Sequence, residues 1–328
     1  MLEYHERGAV TTGEGTNTMQ RTTMTTTMVM AGALAGATLL GACAARQAPA
    51  SGGVAAPITV DAVAGATIRG AFDTPITLKD GRYEGPPFVP GGASRPTATL
   101  LASLTTLGEL DDVPGADAAA VVASNEGGSG ENILLTVVGM RGGKATSVGS
   151  ALVGDRTKIR DLRISGRDIV LDVVEIGPRD AACCATQLAT KTYRMQGGAL
   201  RMIGSATTGT VSVASTIGGR TWTAVEIDGT PVPAGSPAPT LTYEGGRISG
   251  TSGCNQYTGA LTEAEPGTVT VGPIAGTRRL CAEEAANTTE VRYLKALQGV
   301  TRYTFLAGRL HLSGGTADAT HTILFAKN

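Results

Sequence analysis

Short apolar runs separated by glycine-rich turns set the pattern of the middle of the chain. Residues 132–140 and 168–176 are apolar, β-branched runs of strand length, and in the second Ile169, Leu171 and Val173 alternate imperfectly with polar neighbours. Turn sequences at 141–144, 165–168 and 196–198 separate these runs. The pattern therefore predicts short strands joined by tight turns.

The last third of the chain repeats this pattern more regularly. The predicted strands span 221–227, 240–243, 247–250, 257–262, 268–271, 302–306, 309–312 and 320–325. The turns between them contain Gly-Gly, Pro-Gly or Ala-Gly pairs, as at 244–246, 265–267, 307–308 and 313–315. The fold class expected is mainly β.

Helical spacing is predicted in two places. One helix is expected at Thr97–Leu107. The other is an amphipathic helix near Glu284–Gln298, where Val291, Leu294 and Leu297 recur on one face and Gly299 follows as a C-cap.

The first residues resemble an export signal behind a leader. Residues 1–18 carry three glutamates, the wrong charge for the front of such a signal, whereas translation from Met19 would place Arg21 before an apolar run at 29–42. That run ends in Leu40-Gly41-Ala42-Cys43, the pattern of a lipobox. We expect residues 1–43 to be a mis-started leader plus a lipoprotein signal peptide, with Cys43 lipidated. The alternative is an ordinary cleaved signal with an incidental cysteine.

The residues after Cys43 indicate where such an anchor would lie. Ala44 stands where an aspartate would mark retention in the inner membrane, so we expect attachment to the outer membrane, facing the periplasm. Residues 44–58 are rich in Ala, Gly, Pro and Ser and are expected to form a flexible tether. The membrane is thus the partner that the lipid anchor implies.

Composition narrows the function further. Lys+Arg number 27 against 28 Asp+Glu, so no basic surface for nucleic acid is indicated. The 46 glycines agree with a chain of short strands and tight turns. We expect two small β-rich domains, at 59–205 and 218–328, with a Thr/Ser/Gly-rich linker at 206–217.

Four ordered motifs mark the last domain. They read G-x-x-W ending at Trp222, G-C-N-x-Y-x-G from Gly253 to Gly259, T-R-x-x-C from Thr277 to Cys281, and L-x-x-L-x-x-V from Leu294 to Val300. Together they resemble the META domain, the HslJ-like family of small bacterial envelope and heat-shock-related proteins. The resemblance implies an open barrel with one helix and carries no established chemistry. Its motif residues here are Trp222, Gly253, Asn255, Tyr257, Gly259, Thr277 and Arg278.

Cysteine pairing is expected within each domain. A bridge between Cys254 and Cys281 would join the barrel strands to the helix and contribute about 3.5 kcal/mol in the chain-entropy model. Two buried free thiols are the alternative. The adjacent Cys183 and Cys184 would form a strained eight-membered ring, or pair elsewhere, stay reduced or exchange. We favour 254 with 281 and 183 with 184, both as structural pairs.

The middle domain has an ordered motif series of its own. Its members lie at 77–85, 126–130, 151–156 and 180–184. The series resembles an uncharacterised domain that precedes META domains in other bacterial lipoproteins. The acidic stretch 108–117 lies where related sequences show calcium-like loops, but it lacks regular Asp-x-Asp-Gly spacing, so a plain acidic surface loop is expected.

The sequence contains few candidate catalytic residues. After processing only His311 and His321 remain, on separate predicted strands and without a Cys or carboxylate at ligand spacing, and no G-x-x-x-x-G-K loop occurs. Asn255, Tyr257 and Trp222 are expected to be structural. We expect no cofactor or metal and a non-enzymatic envelope lipoprotein in envelope maintenance or stress tolerance. The alternative is a binding module for a lipid or hydrophobic peptide, or an inhibitor of an envelope hydrolase.

Overall fold

The computed structural model describes residues 57–181, 183–316 and 319–328. The leader, the lipobox with Cys43 and most of the tether lie outside these residues. Those described from residue 57 on belong to one compact unit. They are mainly β, as predicted, and none of their helices has the length and apolar character needed to cross a membrane.

Within the described residues, twenty-one strands and three helices follow in chain order. They are α1 Val60–Val63, β1 Thr67–Ile68, β2 Ile76–Thr77, β3 Arg82–Glu84, β4 Thr97–Gly108, β5 Asp117–Asn125, β6 Asn132–Arg141, β7 Lys144–Asp155, β8 Lys158–Ser165, β9 Asp168–Glu175, β10 Gln187–Gln196, β11 Ala199–Thr210, α2 Val213–Thr216, β12 Thr221–Ile227, β13 Thr230–Pro231, β14 Thr240–Glu244, β15 Arg247–Thr251, β16 Gln256–Glu265, β17 Thr268–Val271, β18 Ala275–Gly276, α3 Glu284–Gln298, β19 Val300–Leu306, β20 Arg309–Thr316 and β21 Ala319–Lys327.

The middle region is built from two sheets. The first has the order β2-β1-β7-β6-β5-β4-β3 and is a nearly closed barrel, because its two end strands are consecutive in the chain and joined by a tight turn. The second is a four-stranded meander, β11-β10-β9-β8. The strands are antiparallel except for one parallel pairing between β1 and β7.

Strand β5 lies at the centre of this region and is buried on both faces. Val121 packs into a core shared with the four-stranded sheet, which includes Leu171 and Tyr193. Val122 points the other way, into a core shared with Val63 of α1. This arrangement explains the run of eight buried residues in β5, since both faces of the strand are covered.

The last third folds into a closed barrel of eight strands. The ring runs β12-β14-β15-β16-β17-β19-β20-β21 and closes where β21 pairs with β12, with Ala224 opposite Phe325. The open barrel implied by the resemblance is therefore corrected to a closed one. Closure satisfies the edge strands, which an open sheet would leave exposed.

Helix α3 occupies the predicted residues, Glu284–Gln298, and the chain leaves it at Gly299. It packs on the barrel with Tyr293 and Leu297 fully buried in the barrel core. Val291, expected on the buried face, is instead 67% exposed. The inward face is centred on Tyr293, two residues further along the helix, which turns Val291 toward solvent.

The helix expected at Thr97–Leu107 is wrong, because this segment is strand β4. Its pairing with β5 is interrupted between Leu100 and Thr105. Leu100 faces one core of the middle region, whereas Leu104 faces the other. The irregularity breaks the two-residue alternation and leaves leucines at spacings that imitate a helix.

The expected linker 206–217 is an ordered part of the structure. Its first residues complete β11, and Ser212 caps the short helix α2 through the Ser215 backbone N–H at 3.1 Å. Val213 and Ile217 are buried in the barrel core. The core clusters nevertheless divide near this segment, since the barrel core takes no buried residue before Val213. The division into two domains stays a prediction.

Candidate functional site

The turn of the G-C-N motif leads into strand β16. The Ser252 backbone N–H and hydroxyl both donate to the Asn255 carbonyl, at 2.7 and 2.9 Å. Gly253 between them has φ +105°, and a Cβ there would lie 3.1 Å from the Pro237 carbonyl oxygen. Both the backbone conformation and the close approach therefore require glycine at this position.

Asn255 is the hydrogen-bonding centre of the motif region. It is 3% exposed, and its amide nitrogen donates to the Arg279 carbonyl at 2.9 Å and to the Glu290 carboxylate at 3.0 Å. Its amide oxygen accepts from the Thr277 hydroxyl at 2.7 Å and from the Arg279 backbone N–H at 2.8 Å. One side chain thus joins β16, the segment before α3, and α3 itself. Its polar groups are used inside the protein, so its role is structural.

The sequence did not indicate Glu290 as the partner of Asn255. The available signal is its position, because Glu290 lies three residues before the inward-facing Tyr293 and so on the same side of α3. The contacts explain why a carboxylate stands at this position. It accepts hydrogen bonds from the Asn255 side-chain amide and from the Asn255 backbone N–H, the latter at 3.1 Å.

Cys254 and Cys281 lie beside this centre. Their sulfur atoms are at bonding distance and their Cα atoms are 5.9 Å apart, within the usual disulfide range. The bridge joins the start of β16 to the residues that precede α3. Asn287 of α3 holds the second cysteine by bonding its backbone N–H and carbonyl, at 3.0 and 2.9 Å.

The aromatic motif residues are parts of the core. Trp222 is 1% exposed, its indole N–H donates to the Ile217 carbonyl at 2.9 Å, and its ring lies 6.1 Å from that of Phe305. Tyr257 is 4% exposed and donates to the Thr240 carbonyl at 2.9 Å. Burial raises the pKa of the Tyr257 phenol well above its ordinary range. Neither ring is a platform for a ligand.

Of the remaining motif residues, Thr277 and Arg278 line an open groove, which Asn255 and Tyr257 also border. Gly259 is buried, and a Cβ there would be 3.5 Å from Ile274 and from the Pro273 carbonyl. Thr277 and Arg278 are exposed. The groove runs between the β16–β18 strands and α3, with a volume of about 640 Å³. Its polar walls include Gln256, Thr277, Arg278, Glu290, Lys295 and Gln298.

The two histidines are set apart from each other. His321 bonds Asp228 at 3.0 Å, and the same carboxylate accepts the Thr322 backbone N–H at 2.9 Å, so this pair ties β21 to the turn after β12. Burial lowers the pKa of His311, which lies on β20. Among the described residues, no group of three or more His, Cys, Asp or Glu side chains is arranged to hold a metal ion.

The acidic stretch 108–117 is tied down by arginines and by its own backbone. The Asp117 carboxylate is buried and accepts two backbone N–H groups of the loop, each at 3.1 Å. Asp111 pairs with Arg141, and Asp112 pairs with Arg167 at 2.9 Å. Burial raises the pKa of Asp117. These three aspartates thus have partners within the protein, and the loop fastens the end of β4 to the start of β5.

Cys183 and Cys184 lie in the loop between β9 and β10. Their sulfur atoms are at bonding distance, with Cα atoms 3.8 Å apart, and both residues are exposed. Asp180 closes the neck of the loop, since its carboxylate accepts the backbone N–H groups of Gly177 and Thr186 at 2.8 and 2.6 Å. The two pairs of cysteines therefore have different surroundings, one beside the motif residues of the barrel and one at a loop tip.

Comparison with known proteins identifies the last third of the chain. Residues 215–328 match the family model of the META domain. An NMR structure of a protein from Burkholderia xenovorans is 23% identical, with a TM-score of 0.29, and the match covers 35% of this chain and 86% of that one. A second NMR structure is 22% identical, also with a TM-score of 0.29, and the match covers 35% of this chain and 95% of that one. No curated protein matches the chain.

Proposed function

We propose that the protein is a non-enzymatic lipoprotein of the bacterial cell envelope, whose META domain contributes to envelope maintenance or stress tolerance. The observation that carries the proposal is the use of the motif residues. The polar groups of Asn255, Trp222 and Tyr257 all form hydrogen bonds within the protein. A domain whose most distinctive residues stabilise its own barrel is suited to a binding or structural role.

The non-enzymatic part of the proposal rests on the placement of the reactive side chains. His321 is engaged by Asp228 and lies on the barrel wall rather than at a nucleophile. Glu290 lines the motif groove, and its carboxylate accepts a hydrogen bond from the Asn255 side chain. General acid–base catalysis needs a titratable group within reach of a substrate, and these groups are committed elsewhere.

The envelope part of the proposal rests on Leu40-Gly41-Ala42-Cys43 and the tether after it. Mass spectrometry of the mature N-terminus tests it directly. We expect a lipid-modified Cys43 as the first residue, with the protein in the outer-membrane fraction. An unmodified peptide running through Gly41-Ala42-Cys43 would refute the anchor.

A complementation experiment tests the role. A strain lacking the gene should become more sensitive to detergent and to heat, and wild-type protein should restore growth. The Cys43→Ser variant should fail, because it folds but is not anchored. His321→Ala serves as the matched control and should restore growth fully. Restoration by Cys43→Ser, together with failure of a His321→Ala variant whose thermal midpoint is unchanged, would favour a soluble enzyme instead.

A second candidate function is binding of a protein segment, such as part of an envelope hydrolase that is inhibited. Large side chains including Leu241, Tyr293 and Phe325 fill the barrel core, so this candidate places the partner in the groove beside α3. The groove walls carry Arg278 and Lys295, which suits a polar or acidic segment better than a lipid chain.

Charge reversal in the groove tests this candidate. Purified wild-type protein is added to a periplasmic hydrolase assay, and inhibition should be weakened by the double change Arg278→Glu and Lys295→Glu. Lys144→Glu, at the exposed start of β7 in the middle region, is the control and should leave inhibition unchanged. Equal inhibition by all three proteins would exclude the groove.

A further inference from the structure

The exposed pair Cys183–Cys184 lies at the meeting point of two cavities. Both cysteines line a cavity of about 330 Å³, whose opposite wall is formed by the barrel strands β17 and β19. Cys183 also borders a second cavity of about 600 Å³. The smaller volume is at the lower end of the range of small-molecule sites. A disulfide that lines a cavity can be reached by a ligand bound in it.

The charges of the smaller cavity are positive. Lys158 of β8 and Arg302 of β19 both line it, and both are exposed. The neighbouring cavity carries acidic side chains, Glu131, Asp155 and Glu175, of which Glu175 is paired with Lys191 at 2.7 Å and Asp155 with Arg156 at 2.6 Å. An anionic ligand would therefore meet two cations beside the disulfide, and a thiolate formed there would face the same charges.

The bond can open without unfolding the protein. A disulfide stabilises chiefly by closing a loop of the unfolded chain, and a bond between neighbouring residues closes almost none. The neck of the loop is held independently by Asp180, through Gly177 and Thr186. By contrast Cys254–Cys281 spans 27 positions and lies beside the buried Asn255.

We infer that Cys183–Cys184 is a thiol–disulfide exchange site for a small thiol that carries carboxylates, bound in the cavity between the four-stranded sheet and the barrel. The thiolate of the ligand attacks one cysteine sulfur, forms a mixed disulfide and releases the neighbouring cysteine as a thiolate, which takes a proton from water. A second ligand thiol attacks the mixed disulfide. Two ligand molecules leave as their disulfide, and the protein gains two thiols.

The first test compares the two disulfides of the full chain. Oxidised protein is incubated with excess reduced glutathione, free thiols are alkylated at intervals, and peptides are identified by mass spectrometry. Cys183 and Cys184 should become labelled at least about tenfold faster than Cys254 and Cys281, with the thermal midpoint of the protein unchanged. If the 183–184 bond stays closed, or opens only together with 254–281, the inference is overturned.

The second test asks whether the cavity selects an anionic thiol. Opening rates with glutathione and with cysteamine, which is cationic, are compared at matched thiolate concentration. Lys158→Gln and Arg302→Gln should each lower the glutathione rate about two- to fivefold, the range of an exposed ion pair, and leave the cysteamine rate unlowered. Lys144→Gln is the matched control and should change neither rate. If glutathione has no advantage, or loses none in these variants, the cavity does not bind it and the exposed disulfide merely reacts with any thiol.

Discussion

The hydroxyl groups of Tyr257 and Tyr293 lie 2.7 Å apart in the barrel core, one on strand β16 and the other on helix α3. Their rings meet edge to face, with centroids 5.6 Å apart. Since Tyr257 also donates to the Thr240 carbonyl of β14, the pair connects the helix to two strands. Burial raises the pKa of both phenols, so both are neutral over the ordinary pH range.

Replacing Tyr293 by Phe should lower the free energy of unfolding of the barrel by about 1 kcal/mol, because one buried hydrogen bond is lost while the ring remains. Denaturant unfolding monitored by Trp222 fluorescence measures the change. Tyr243→Phe, at a half-buried site on β14, is the control and should cost less. If both variants lower the free energy of unfolding equally, the hydrogen bond between Tyr257 and Tyr293 does not contribute more than an ordinary tyrosine hydroxyl.

Alkaline pH should destabilise the barrel. Burial raises the pKa of Tyr257, Tyr293 and Tyr303 above their ordinary value of 10.0, whereas Tyr193 of the middle region rises to about 12. The neutral phenols contribute fully below about pH 10, and above it the unfolded chain loses protons that the folded chain keeps. Stability should then fall by about 1.4 kcal/mol per pH unit for each buried phenol.

Unfolding measured at pH 9, 10 and 11 tests this dependence. The slope for the barrel should begin near pH 10 and become shallower in Tyr293→Phe, which removes one titrating group. A free energy of unfolding that stays level through pH 11 would contradict the assignment of these phenols to the core.

Asn255→Asp should lower stability by about 2–4 kcal/mol at pH 7. The new carboxylate cannot donate the hydrogen bond to the Arg279 carbonyl. It also faces the Glu290 carboxylate, which in the wild-type protein lies 3.0 Å from the Asn255 amide nitrogen. Protonation at low pH relieves this repulsion in the folded protein, so the penalty should shrink as the pH falls toward 4. Thermal unfolding at pH 7 and pH 4.5 measures both effects.

Gln256→Glu is the matched control for this change. Its side chain is exposed, although it is the next residue and undergoes the same amide-to-carboxylate exchange. Its effect should stay within about 0.5 kcal/mol. A loss as large as that of Asn255→Asp would mean that the general charge of the motif region, rather than the hydrogen bonds of Asn255, decides stability.

Cys254→Ser should lower the stability of the barrel by about 2–5 kcal/mol and leave the middle region nearly unchanged. The double change of Cys254 and Cys281 should cost no more than either single change, because one bridge is lost in each case. Thermal unfolding supplies the comparison, and non-reducing peptide mapping identifies the pairing. A peptide that joins 254 to 183 or 184 would overturn both.

Limited proteolysis should cut near 206–218 and leave two resistant fragments if the chain forms two domains. The separate core clusters favour this result, but several contacts join the two regions. Arg160 lies over the Phe305 ring, 5.3 Å from its centroid, and Lys327 pairs with Asp161. Loss of both halves after a single cut would show that these contacts make one folding unit.

The strands of the barrel could be predicted because their signals are local. β12 and β17 have the predicted bounds, since alternation identifies the strand and the glycine-rich turns end it. Helix α3 was also predicted from a local signal, the helical spacing of its apolar residues and the glycine that follows it. β4 could not be predicted from periodicity, because Leu100 and Leu104 serve different cores on either side of an irregular pairing.

The motif region was predictable in its residues but not in its contacts. The G-C-N and T-R-x-x-C blocks indicate Asn255 and Thr277, whose side chains bond at 2.7 Å. Glu290 completes the same network from a helix 35 positions away, and its position on the helix indicates its side of α3 but not that its partner is Asn255. The closed form of the barrel was missed for the same reason, since the contact of β12 with β21 depends on residues far apart in the chain.

That contact also sets the order in which the barrel is built during synthesis. β12 spans Thr221–Ile227 and β21 spans Ala319–Lys327, so the first strand of the ring leaves the ribosome almost a hundred residues before the strand that completes it. Until then β12 has a free edge, able to pair with a neighbouring chain. Pairings of such long sequence separation form slowly. A nascent chain of this kind gains from a chaperone that covers β12 until β21 has emerged.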